Sequence, residues 1–336
     1  MVAYRKNDLP QVFKLQERLI TSFEGRAMAV RKTVSSSGAK TPGIDKILFD
    51  TAKEKWEAIG LLRKIIQQPK SYKASMVKRV MIPKINGSER PLGIPTMTDR
   101  ALQNLILLAL DPVIEETSDL YSYGFRKFRN AGHAVNRIRT LLDKYNSPKY
   151  IWDVDIKACF DNIAFDAVNH ALDDKLCKIG KDLINKWLNS GIIYKGKTTF
   201  PKKGIPQGGV ISPVIANAVL NKMENCVRGK NVSWAKRTNQ KEFIKGIWLI
   251  RYADDFIVTC DSKEKLVNEI IPKVKIFLQN RGLQINNEKS KIIDLHENSF
   301  EFLGWEIWTP YRNWKLNQKA IKNPRTFIMR PTKSNV

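Results

Sequence analysis

The 336-residue chain predicts an α+β fold, a small antiparallel sheet backed by helices. Three observations carry that expectation. The β-prone runs Ile247-Trp248-Leu249-Ile250 and Phe256-Ile257-Val258 flank Tyr252-Ala253-Asp254-Asp255, so a hairpin with two carboxylates at its tip is predicted. Residues 150–156 alternate, with Ile151, Asp153 and Asp155 on one face and Trp152, Val154 and Ile156 on the other. Apolar residues at helical spacing, such as Leu102, Leu105, Ile106 and Ala109, then Leu266, Ile270, Val274 and Phe277, supply the backing helices.

An Asp-Asp pair in a turn is, by itself, ordinary turn chemistry. Its negative charge is nonetheless costly unless a cation neutralises it, and a divalent metal held by oxygen ligands would do so. Asp155 lies at the end of a half-buried strand. Sheet pairing that brought it beside Asp254 would complete a site for two Mg²⁺ ions, the kind that clamps attacking and leaving oxygens in phosphoryl transfer. Asp153 shares that face and is the lesser candidate, because nothing after it repeats the pattern.

Composition narrows the partner. There are 58 Lys and Arg against 33 Asp and Glu, a net charge of +25, which points to a polyanion and by default to nucleic acid. No stretch approaches the roughly 18 apolar residues of a spanning helix, so a membrane is not expected. Cys159, Cys177, Cys226 and Cys260 have no paired spacing, and His133, His170 and His296 are the only histidines. Neither a zinc site nor a disulfide framework is expected. No secretory signal is evident, which leaves a bacterial cytoplasm or the interior of an organelle.

Taken in order, Leu9 to Phe23 read as an amphipathic helix with a basic outer face, followed by a loop at Ser35 to Gly38. A second helix runs from about Trp56 to Gln68 and stops before Pro69. Val77 to Ile82 alternates as a strand, and Asn86-Gly87 signals a hairpin with Lys84 and Arg90 on either side of its tip. Thr98 and Asp99 can cap a helix reaching about Pro112. Tyr123 to Arg129 interleaves aromatics with Arg126, Lys127 and Arg129, a pattern that can stack bases while neutralising phosphates. Residues 166–192 read as two helices with surface lysines, among them Lys175 and Lys186. The glycines of Gly204 to Pro213 allow backbone to approach a ligand, and Gln207 can both donate and accept hydrogen bonds. One helix is expected from Val214 to about Cys226, then a basic insertion from Arg228 to Lys245 that includes Lys230, Lys236 and Arg237. A helix over 266–278, kinked at Pro272, ends at Gly282.

Asp155-Ile156-Lys157-Ala158-Cys159-Phe160-Asp161, Gly204-Ile205-Pro206-Gln207-Gly208-Gly209 and Tyr252-Ala253-Asp254-Asp255 resemble the successive palm motifs of a reverse transcriptase. Arg90 to Pro95 and Phe302-Leu303-Gly304-Trp305 make the resemblance one to group II intron reverse transcriptase/maturases, over about residues 10–310. It implies a right-hand polymerase with fingers and palm and the thumb largely absent. Residues 1–75 would form an N-terminal extension and the start of the fingers, 76–148 the fingers, 149–310 the palm with its insertion at about 227–246, and 311–336 the start of a thumb or a linker. The implied activity is RNA-directed DNA synthesis on an RNA template from a DNA primer and dNTPs, with binding of group II intron RNA to assist splicing and mobility. Asp155, Asp254 and Asp255 would be catalytic and, with Ile156, form the Mg²⁺ site.

Lys84, Arg90, Phe160 and Gln207 would bind the nucleotide, with the Phe160 ring excluding a 2′-hydroxyl. The cations at 126, 127, 129, 230, 236 and 237 would bind RNA. Family members normally continue into further domains, so a truncated chain or a natural remnant is expected; dimerisation is left open. An RNA-binding splicing cofactor without polymerase activity fits the charge equally well, and a retron-type reverse transcriptase is a nearer alternative. Three carboxylates in a basic cleft favour catalysis, since a pure RNA binder gains nothing from charges that repel phosphate. The N-terminal extension and the insertion argue against the retron type.

Overall fold

The computed structural model describes residues 1–83, 87, 89–143, 147–229, 246–309 and 327–332. The strands in chain order are β1 (Val77–Pro83), β2 (Glu89–Ile94), β3 (Tyr150–Val154), β4 (Ile192–Tyr194) and β5 (Lys197–Thr199). They continue with β6 (Trp248–Tyr252), β7 (Asp255–Cys260), β8 (Lys291–Asp294), β9 (Phe300–Phe302), β10 (Trp305–Trp308) and β11 (Ile328–Pro331). The chain forms two compact units, each made of two segments: 1–117 with 158–219, and 118–157 with 220–336. The chain leaves the first unit after Thr117, returns at Ala158 and leaves again after Val219.

In the first unit, helices Leu9–Thr21, Phe23–Val34, Ala52–Gln67 and Met97–Thr117 surround an apolar core. Met97, Ala101, Leu102, Leu105, Ile106 and Leu110 are fully buried, so the last of these helices is its axis. The single helix expected over 9–23 is two. Asp8 caps the first by accepting from the Gln11 N–H, and Ser22 ends it and caps the next by accepting from the Gly25 N–H. The axial helix starts earlier and runs further than expected, passing Pro112 to reach Thr117. Thr96 stands at its start, where its hydroxyl accepts from the Asp99 N–H at 3.2 Å.

Gln16 is buried with its polar groups satisfied by backbone: it donates to the carbonyls of Ala109 (3.1 Å) and Lys175 (2.8 Å) and accepts from the Cys177 N–H (2.8 Å). The sheet of this unit has the order β2-β1-β4-β5, with β1 parallel to β4 and the other pairs antiparallel. Its β4–β5 hairpin follows the two expected helices, Phe165–Leu172 and Lys178–Leu188. Lys175 is buried beside Asp174, and Lys186 donates to the carbonyls of Pro69 and Tyr72, so neither lysine belongs to a solvated surface.

The second unit holds an antiparallel sheet of order β6-β7-β3-β8. In its register, Ile151 faces Thr259, Asp153 faces Ile257, and Ile250 faces Ile257 from the other side. These residues share one face, and Ala134, Ile138, Leu141 and Leu142 of the helix Ala131–Leu142 cover its apolar part. Fully burying each of these Ile and Leu side chains contributes about 1.5–3 kcal/mol. On the opposite face, Trp152 meets Phe256 edge to face at 6.1 Å. The helix expected over 266–278 is continuous with a wide π turn at Leu266–Ile270 that precedes Ile271–Gln279. That turn accommodates Pro272, which has no N–H to give.

One expectation here is corrected. The helix expected to Cys226 breaks after Leu220 and restarts as Met223–Arg228, because Asn221 and Lys222 turn aside to bond Asp119: the Asn221 side chain accepts from its N–H (2.9 Å) and the Lys222 N–H donates to its carboxylate (3.0 Å). In the tail expected as the start of a thumb or a linker, Ile328–Pro331 forms β11, paired antiparallel with β10 in a sheet of order β11-β10-β9. Pro331 closes that strand, with Trp305 as its register partner. None of the four cysteines forms a disulfide.

Candidate active site

The β6–β7 hairpin places the acidic pair as its sequence predicts. Tyr252 pairs with Asp255, leaving Ala253 and Asp254 as a two-residue turn, and Ala253 takes φ +58 to close it. Val154 faces Phe256, so the next step of the register brings Asp155 level with Asp255 on the neighbouring strand. Asp153, Asp155 and Asp255 continue, at the open end of the sheet, the same face that carries Ile151 and Ile257.

Electrostatics confirm the crowding. The Asp255 carboxyl keeps solvent contact yet is pushed up to about 6, first by desolvation and then by the negative charges of Asp254, Asp155 and Asp153, with Lys289 opposing. Asp153 is also pushed up to about 6, by burial above all, while Lys291 on the adjoining strand pulls the other way.

Asp155 is held from the segment that precedes β8. Asn286 donates through Nδ2 to its carboxylate at 3.0 Å and through its backbone N–H to its carbonyl at 2.8 Å. The Asp155 N–H donates to Ser290 Oγ at 3.2 Å, and Lys289 Nζ stands 3.9 Å from the carboxylate. Ile156 is buried and bridges Ile285.

The turn is buttressed from beneath by groups that sequence reasoning did not single out. Arg251 is fully buried and donates through Nη1 to the Ala253 carbonyl at 3.0 Å. Its backbone exchanges bonds with the segment 121–123: the Tyr123 N–H donates to the Arg251 carbonyl and the Arg251 N–H to the Tyr121 carbonyl, both at 2.9 Å. Gly124 then passes so close that a β-carbon there would lie 2.3 Å from the Ala253 nitrogen. The available signal was a cation within a β-prone run and a glycine before an aromatic, neither of which names its partner.

Among the described residues, no three His, Cys, Asp or Glu side chains form a ready-made metal cage. The donor set still fits Mg²⁺. That ion prefers oxygen ligands, keeps several waters, and is bound through one or two carboxylates plus substrate phosphates.

Other expected site residues fall as follows. Arg90 donates through Nε to Gln207 Oε1 at 3.0 Å, so these two are brought together within the first unit. The glycines beside Gln207 are required by the protein's own packing: at Gly208, φ is +104 and a β-carbon would lie 2.4 Å from the Gly93 carbonyl oxygen. Phe160 is 7% exposed, and its carbonyl accepts from the Ile205 N–H.

Arg126 is buried, and its guanidinium donates to the carbonyls of Asp119 and Ser122, both at 2.8 Å. Arg129 likewise donates to the Leu120 carbonyl at 2.8 Å, and Lys127 is exposed. Arg228, read as part of the insertion, is a buried helix residue paired with Glu224 at 2.7 Å. Lys84, Lys230, Lys236 and Arg237 lie outside the described residues.

Residues 82–307 match the family described as reverse transcriptase (RNA-dependent DNA polymerase). The chain belongs to the reverse transcriptase family. Residues 1–62 match the N-terminal domain of reverse transcriptase. Protein YkfC of Escherichia coli is 30% identical over 313 residues, covering 86% of this chain and 82% of that protein. The group II intron-encoded protein LtrA of Lactococcus lactis is 25% identical over 90% of this chain, and the putative COX1/OXI3 intron 1 protein of Saccharomyces cerevisiae is 27% identical over 75% of it. This reverse transcriptase chain spans 58% and 35% of those two proteins.

A solved telomerase from Candida albicans superposes with a TM-score of 0.52 at 14% identity, covering 72% of this chain and 45% of that one, a likeness of fold. No helix among the described residues is long and apolar enough to cross a membrane.

Proposed function

We propose that this chain is the RNA-directed DNA polymerase of a group II intron, copying an RNA template from a DNA primer and binding intron RNA to assist splicing and mobility. The observation that carries the reading is the strand register that sets Asp155 level with Asp255, with Asp254 in the turn between β6 and β7. Asp155 and Asp254 would be the principal Mg²⁺ ligands, with Asp255 assisting and Ile156 beside them. Bound Mg²⁺ would activate the primer 3′-hydroxyl and steady the departing pyrophosphate.

The chain's own groups prepare that site. Asn286 fixes the rotamer of Asp155, Arg251 holds the turn that carries Asp254, and mutual repulsion among the acids favours a cation over vacancy. In the first unit, the Arg90 fork suits a triphosphate, with Gln207 holding its orientation. The Phe160 ring would select deoxynucleotides. The name of LtrA, a group II intron-encoded protein, supports the link to group II introns, and that of the yeast protein a link to introns.

The test is primer extension on an RNA template with dNTPs and Mg²⁺, with intron RNA binding measured in parallel. Extension by the parent and none by Asp155→Asn, at equal RNA binding, supports the reading. Tight RNA binding by both without extension would replace it with the splicing-cofactor reading.

A further inference from the structure

Phe128 leaves 96% of its surface exposed. Its φ is +61, a left-handed conformation that glycine adopts freely and a phenylalanine adopts only under strain. Both features oppose folding, since the ring gains nothing from burial and the backbone is held in an unfavourable region. Phe125 repeats the pattern three residues earlier, with φ +58 and 48% exposure.

The loop that carries these rings is nevertheless clamped at its base. Arg126 and Arg129 fasten it to the carbonyls of Asp119, Leu120 and Ser122, Tyr123 pairs with Arg251, and Asn130 caps the helix that follows. The rings are therefore displayed on a fixed support. Strain maintained in this way, outside any packing role for the ring, marks a contact surface.

We propose that Phe128, with Phe125, is a stacking post for an unpaired nucleobase of single-stranded RNA. Charge selects this occupant. Exposed Lys127 lies between the two phenylalanines in sequence, in a chain of net charge +25, and aromatic rings interleaved with cations suit a base and its phosphate. Every base offers a π-face, so the site is sequence-tolerant and specific for single strands over duplex. Gly124, at the foot of the same loop, abuts the Ala253 backbone of the acidic turn; on the polymerase reading, on which this assignment rests, the single strand is the RNA being copied.

The experiment is fluorescence anisotropy of the full chain with a labelled single-stranded RNA and with a duplex of equal length, for the parent and for Phe128→Gly, Phe128→Leu and Phe128→Trp. Phe128→Gly melts no lower than the parent, because glycine accepts the backbone, and binds the single strand about tenfold more weakly. Phe128→Leu loses as much, Phe128→Trp binds at least as well as the parent, and duplex binding stays within about twofold throughout. Unchanged single-strand affinity in Phe128→Gly, or an equal loss on duplex, overturns the proposal. A shift from dimer to monomer in Phe128→Gly at unchanged RNA affinity also overturns it and assigns the ring to a second copy of the chain. If the parent fails to extend a primer while Phe128→Gly still weakens single-strand binding, the stacking post stands and the polymerase reading falls.

Discussion

Gly124→Ala adds a single methyl group at a place with no room for it. The new carbon would sit 2.3 Å from the Ala253 nitrogen, 2.9 Å from the Tyr252 carbonyl carbon and 3.0 Å from the Ala253 α-carbon, and all three are backbone atoms. Ordinary contact begins near 3.4 Å, so the turn and the Tyr121–Gly124 segment must separate by about 1 Å. Overpacking of this size destabilises by about 1–3 kcal/mol. A 1 Å displacement of a catalytic group lowers the rate by about 100-fold, or about 2.7 kcal/mol of barrier. The assay is steady-state primer extension on an RNA template below the melting transition, with kcat and KM for the dNTP determined separately. The expected result is a fall in kcat of about 100-fold with KM within a few-fold. A Gly124→Ala variant with the parent's kcat would refute the argument that this glycine sets the position of Asp254.

Other consequences are as direct. Gly60 lies inside the helix Ala52–Gln67 with nothing within 4 Å of a β-carbon, so Gly60→Ala raises stability by about 0.5–1 kcal/mol in urea unfolding and leaves extension unchanged. Gln16→Met strands the Cys177 N–H and two carbonyls in the core, and a loss of about 3 kcal/mol is expected in the same measurement. Asp255, held near 6, binds more protons folded than unfolded, so stability falls as pH rises from about 4 through 6. After discount for its solvent contact this amounts to roughly 1 kcal/mol. Mg²⁺ relieves the same repulsion and competes with the proton, so its upward shift of Tm is larger at pH 7.5 than at pH 5, and a pH-independent shift would contradict this. Phe160→Val admits ribonucleotides, checked by the ratio of ribonucleotide to deoxynucleotide incorporation.

The β6–β7 hairpin was legible because its signals are local. Two β-prone runs around a turn dictate a hairpin whatever surrounds them, and the alternation over 150–156 dictates which residues share a face. The strand β11 and the break at Asn221 were not legible, because each depends on a partner distant in sequence. Ile328 to Pro331 becomes a strand by pairing with β10, and Asn221 leaves the helix to reach Asp119. The burial of Arg126 was not legible for a related reason. A basic residue in sequence looks exposed, whereas the Arg126 guanidinium is bonded to backbone carbonyls, and Phe128 stands out to solvent. The β4–β5 hairpin had a readable turn at Lys195-Gly196, overlooked because its strands are three residues each.

The central claim is that Asp155, Asp254 and Asp255 hold the metal while Asp153 balances Lys291. Single-turnover incorporation of one dNTP opposite an RNA template, across a Mg²⁺ titration, tests it with Asp254→Asn and Asp153→Asn side by side. The account predicts that Asp254→Asn abolishes incorporation at every Mg²⁺ concentration with RNA binding intact, and that Asp153→Asn retains activity with little change in the Mg²⁺ requirement. Activity in Asp254→Asn, or its loss in Asp153→Asn with the fold intact, would contradict the account.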